Sequence, residues 1–91
     1  MCAGYPIKNK LRLYRRAKGL KQYEIAYALE TSQEQVSRWE RGECMPNLEH
    51  ALRLSAVLNR LVNDMFFEVF DEERDIAIHR MKDLDDVKQQ S

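Results

Sequence analysis

Two short segments of helical apolar spacing, residues 22–29 and 33–41, are separated by only three residues, Glu30, Thr31 and Ser32. Three residues reach about 10 Å at most, so the end of the first helix must meet the start of the second and the chain must turn sharply between them. In the first segment Ile25, Ala26 and Leu29 fall on one face, with Tyr23 and Tyr27 beside them. In the second, Val36 and Trp39 point inward, which leaves Glu34, Ser37, Arg38 and Arg41 on the opposite side and Gln33 and Gln35 flanking the first turn. Ser32 precedes Gln35 at capping-box spacing, where each side chain satisfies the other's otherwise unpaired backbone N–H.

The rest of the chain reads in the same period. Ile7, Leu11, Tyr14 and Ala17 predict a helix over about residues 7–18, closed by Gly19. Pro46 and Asn47 then interrupt and cap, so a fourth helix runs over about 48–58 with Leu48, Ala51, Leu52, Leu54 and Leu58, ending at Asn59. A short fifth helix from about Asn63 carries Met65, Phe66, Phe67 and Phe70. From Asp71 the chain is highly charged, yet Ala77, Met81, Leu84 and Val87 or Lys88 keep a thin helical stripe that allows a sixth helix. The expected fold is all-α: an arm over residues 1–6, a five-helix domain over 7–67, and an acidic tail over 68–91 available for dimerisation. The expected core is Leu11, Ile25, Ala26, Leu29, Val36, Trp39, Leu48, Leu52, Leu54, Leu58 and Phe66.

Composition narrows the function. Ninety-one residues hold one compact domain, and two prolines with three glycines are too few for the turns of a small all-β fold. Residues 1–64 carry eleven Lys and Arg against seven Asp and Glu, whereas 65–91 carry four against eight. The formal net charge of zero therefore hides a basic body suited to nucleic acid and an acidic tail. The longest apolar stretches are a few residues and no N-terminal hydrophobic segment appears, which predicts neither a membrane span nor a signal peptide, and a cytoplasmic protein. Cys2 and Cys44 are far apart in sequence and read as reduced and incidental. His50 and His79 have no partner at ligand spacing, and no glycine-rich phosphate loop or paired nucleophile and base is present, so no metal, cofactor or enzymatic activity is expected.

The polar face of the second helix of the pair offers what base edges in a major groove can bond. Gln pairs with adenine, Arg with guanine, and Glu accepts from the cytosine amino group, and Gln33, Glu34, Ser37 and Arg38 supply these groups from the N-terminal half of that helix. The stretches KGLKQYEIAYALETSQEQVSRWERG and MPNLEHALRLSAVLNRLVNDMF resemble the phage repressor and Cro (XRE) type helix-turn-helix family over about two thirds of the chain. The resemblance implies base reading by Gln33, Glu34, Ser37 and Arg38, and phosphate contact by Gln22 with Lys21 and Arg41 beside it. It also implies a structural ion pair between Arg15 and Glu40. One departure is plain: Glu30 stands where the family usually has Gly, and a left-handed conformation there costs a non-glycine residue about 1 kcal/mol.

Taken together, these features predict a sequence-specific regulator of transcription, read as a repressor, whose partner is double-stranded DNA. A single helix-turn-helix touches few base pairs, so a homodimer on a roughly palindromic operator is expected. The alternative is an antitoxin-like or adaptor protein using the same fold to bind a protein partner, for which the tail with Phe66, Phe67 and Phe70 is the candidate surface.

Overall fold

The computed structural model of the chain describes residues 7–90, and the expected arm over residues 1–6 lies outside them. The described residues form six helices and no strand: α1 (Leu11–Ala17), α2 (Gln22–Leu29), α3 (Gln33–Glu40), α4 (Leu48–Leu58), α5 (Val62–Met65) and α6 (Phe67–Gln90). α2 packs on α3 and on α4, α1 packs on α3, and α5 joins α4 to the foot of α6. One core lies between them, made by Leu11, Ile25, Ala26, Leu29, Val36, Trp39, Leu54, Leu58, Met65 and Phe66 together with Ile7 and Cys44. Trp39 is the largest fully buried side chain. Its truncation to Ala would cost about 3 to 5 kcal/mol, as for other buried large aromatics.

α1 starts at Leu11, four residues later than the apolar spacing suggested, and the reason is Asn9. Its Oδ1 accepts from the Leu11 N–H (3.1 Å), while its Nδ2 donates to the Trp39 carbonyl (2.9 Å) and to the Ile7 carbonyl (3.0 Å). Ile7 is buried as expected of its register, but as part of an arm whose N–H donates to the Gly42 carbonyl (2.8 Å). Lys10 donates its N–H to the Met65 carbonyl (2.9 Å), which ties the start of α1 to the end of α5.

Three further expectations are corrected. Leu48 and Leu52 are exposed, at 74% and 56%, because α4 buries only the arc through Ala51, Leu54 and Leu58. The fifth helix ends before Phe66, whose φ of −121° and ψ of 53° break it, and Phe67 opens the 24-residue α6. Cys44 is disulfide-bonded rather than reduced, while Cys2 lies outside the described residues.

α3 is followed by Arg41 and then by Gly42, whose φ of +77° is left-handed. A Cβ at Gly42 would collide with the backbone carbonyl and amide of Ile7. Gly19, at φ +70°, has open space where its Cβ would stand. Gly19→Ala is therefore expected to cost only the left-handed strain, about 1 kcal/mol. Gly42→Ala must in addition displace the buried Ile7 arm and is expected to cost at least about 2 kcal/mol more. Equal shifts of the two variants in a urea titration would show that the arm is not packed as described.

Candidate functional site

The site is organised beneath its surface by one carboxylate. Glu40, at the end of α3, has a side chain only 2% exposed. It accepts from Arg15 Nε on α1 (2.6 Å) and Arg15 Nη2 (3.1 Å), from Gln22 Nε2 at the start of α2 (3.0 Å), and from Arg12 Nε (3.3 Å). Arg15 also donates from Nη1 to the Leu20 carbonyl (2.8 Å), pinning the loop between α1 and α2. Burial alone would raise the pKa of Glu40; hydrogen bonds from Arg15 and Gln22, the charge of Arg15 and the hydrogen bond from Arg12 outweigh it and hold the carboxyl below the ordinary glutamate range. A single group thus fixes the start of α2 relative to α1 and α3.

The turn between α2 and α3 is built from both sides. Glu30 adopts the left-handed conformation, φ 57° and ψ 43°, and Thr31 donates its N–H to the Ala26 carbonyl (3.0 Å). Ser32 Oγ accepts from the Gln35 N–H (3.1 Å), the serine half of the capping box. Arg53 reaches across from α4: Nη1 donates to the Leu29 carbonyl (3.2 Å) and lies 3.5 Å from Glu30 Oε2, while Nη2 donates to Glu49 (2.7 Å). Glu30 is too exposed for its ion pair to contribute much, so the hydrogen bond to the Leu29 carbonyl is the larger stabilising contact. Arg53, Arg12 and Asn9 are the residues that reading the sequence missed. Each makes a contact more than twenty positions away, and no local spacing marks those long-range contacts.

On the outer side, Gln22, Gln33, Glu34, Ser37 and Arg41 line one shallow concavity. Gln33, Glu34 and Arg41 are exposed, whereas Gln22 and Ser37 are half-buried. Arg38 and Lys21 are exposed but do not line it. Arg38 Nη2 donates to Glu34 Oε1 (3.1 Å), and Arg41 Nε lies 2.6 Å from Glu43 Oε2. At the start of α2 the Lys21 N–H donates to Glu24 Oε1 (2.9 Å), the glutamate half of a capping box. Gln22 keeps its second amide hydrogen for an outside acceptor, because one hydrogen serves Glu40.

A short helix pair joined by three residues, with the polar face of its second helix exposed beside the start of the first, defines a helix-turn-helix DNA-binding domain. The model of the family described as "Helix-turn-helix" matches residues 11–62. The chain belongs to this family, in its phage repressor and Cro (XRE) type, and is a DNA-binding protein of transcription regulation. No curated protein matches it. Among solved structures it is similar to the restriction-modification controller protein C.AhdI from Aeromonas hydrophila, at 32% sequence identity and a TM-score of 0.57. The match covers 63% of this chain and 86% of that one. No helix among the described residues is long and apolar enough to cross a membrane.

Because folded Glu40 has a lowered pKa, the unfolded chain takes up its proton first as pH falls, so the stabilisation by Glu40 is complete above the ordinary glutamate value of 4.5 and is lost as pH drops through the folded pKa. Wild type should lose more stability than Glu40→Gln between neutral and acid pH in chemical denaturation. At neutral pH, Glu40→Ala should cost about 3 kcal/mol by leaving Arg15 desolvated, and a double-mutant cycle with Arg15→Ala should be clearly non-additive. At the turn, Arg53→Ala should cost about 1 to 2 kcal/mol, and adding Glu30→Gly should recover about 1 kcal/mol by relieving left-handed strain. No recovery in the double variant would show that Glu30 is not strained in its left-handed conformation.

Proposed function

We propose that the chain is a transcriptional repressor that binds a roughly palindromic DNA operator as a homodimer, with α3 in the major groove. The observation that carries this reading is the shared concavity, which joins Gln33, Glu34 and Ser37 of α3 to Gln22 of α2 and Arg41. Gln33, Glu34, Ser37 and Arg38 are assigned to base edges, and Lys21, Gln22 and Arg41 to phosphates. The internal ion pairs of Arg38 with Glu34 and of Arg41 with Glu43 must open or share their arginines when DNA binds. Glu34 therefore either reads a cytosine amino group or restrains its arginine until a matching base competes. Occupying an operator denies it to other proteins, and the similarity to a controller protein supports a regulatory role. The chain would work in the cytoplasm, where a repressor meets its DNA.

Selection from a random DNA pool should recover a motif with two related half-sites about one helical turn apart. On that motif, Gln33→Ala and Arg38→Ala should each change the preferred base and cost about 1 to 3 kcal/mol. Lys21→Ala and Arg41→Ala should weaken all sequences alike and lower the salt slope by about one unit each. If neither Gln33→Ala nor Arg38→Ala alters preference in competition assays, α3 is not the reading helix and the adaptor function takes its place.

A further inference from the structure

Two arginines converge on one carboxylate in the Glu40 cluster. Arg15 grips Glu40 with Nε and Nη2 from a side chain only 11% exposed, so its charge neutralises the carboxylate where desolvation makes that necessary. Arg12 adds a second positive charge through one longer bond, Nε to Oε1 at 3.3 Å, from a side chain 49% exposed. The cluster thus holds one cation more than its carboxylate requires, whereas Arg38 with Glu34 and Arg41 with Glu43 are one-to-one pairs. The surplus is carried by Arg12. A guanidinium has five N–H groups, and among the described residues only Nε of Arg12 has an acceptor.

We propose that Arg12 of α1 and the amide of Gln22 together hold one backbone phosphate of the bound DNA. The contact rests on the assignment of Gln22 to a phosphate and supplies the cation that a neutral amide lacks. A shared atom places the two side by side. Gln22 Nε2 donates to the same Glu40 Oε1 (3.0 Å) as Arg12 Nε, so the two nitrogens lie within about 6 Å of each other. Gln22 also lines the outer concavity with Ser37 and Arg41, and its second amide hydrogen has no acceptor among the described residues. A backbone phosphate presents two free oxygens, each accepting a charge-assisted hydrogen bond of about 2.8 Å, and can bridge donors this close. The buried charge of Glu40 does not repel it, because two arginines stand against that one carboxylate. Such a contact fixes α1 on the duplex as well as α2 and α3, and carries no sequence information.

Salt titration of binding to a labelled duplex of arbitrary sequence, followed by fluorescence anisotropy, tests the contact, because the slope counts neutralised phosphates and a purely structural role does not enter it. Arg12→Gln should lower the slope by about 0.9 unit and weaken binding about fivefold at about 0.1 M salt. Arg12→Met, which keeps the stem without the charge, should give the same slope, and Arg12→Lys should retain that of the wild type. None of the three should alter the preferred base on a selected motif. Gln22→Ala should weaken binding with the slope unchanged, since an amide carries no charge. Lys82→Gln removes an equal charge from exposed α6 and should leave both slope and affinity near wild type. A wild-type slope in folded Arg12→Gln and Arg12→Met overturns the contact even if binding is weaker, and it leaves DNA binding intact where Lys21→Ala and Arg41→Ala still lower the slope. A changed base preference in either variant, or full affinity in Gln22→Ala, also overturns the shared phosphate. A wild-type chain that binds no duplex at any salt overturns the DNA reading and this contact together.

Discussion

The buried carboxylate of Glu40 is the contact on which the arrangement of the first three helices depends. A charge with a side chain 2% exposed is tolerable only when its oxygens are filled, and four donors from Arg15, Gln22 and Arg12 fill them. The apolar core holds α2 and α3 together without specifying how far either helix rotates. Directional hydrogen bonds do specify it, because each loses strength within a few tenths of an ångström and a few tens of degrees. Gln22 links this buried order to the surface, since the amide that completes the Glu40 cluster also lines the outer concavity.

The turn shows how a locally unfavourable residue is accommodated. Glu30 occupies a left-handed position that glycine would adopt without strain, at a cost of about 1 kcal/mol. Arg53 donates to the carbonyl just before it, a contribution of similar size. The two effects approximately offset, so the backbone path into α3 is kept. Rigidity here matters for recognition, because side chains that bond base edges discriminate only if their backbone is placed to within a fraction of an ångström.

The surface of α3 is more balanced electrically than a count of its basic residues suggests. Arg38 and Arg41 each have an acidic partner within reach, so the field facing a phosphate backbone is weaker than the bare cations would produce. Exposed pairs of this kind are worth a fraction of a kcal/mol and open readily. They raise the cost of non-specific contact more than that of a site whose bases supply better partners. Such a balance favours discrimination over raw affinity.

Helix periods, the three-residue junction, the Ser32 and Asn47 caps and most core positions are local properties, and the sequence by itself determined them: apolar spacing at the helical period and side-chain capping act within one or two turns of chain. The same reading placed Leu48 and Leu52 in the core and began α1 at Ile7, because periodicity says which residues share a face and not which face meets a neighbour. Tertiary structure alone decided that α4 would bury only one arc, that Asn9 would start α1 by bonding the Trp39 carbonyl, and that Arg53 would brace the turn. Arg15 and Glu40, twenty-five positions apart, carry no spacing signal of their own, and only a family resemblance could name them together. The physical reason is common to all of these. A hydrogen bond or ion pair depends on distance and direction in space, and those exist only after the local elements have packed.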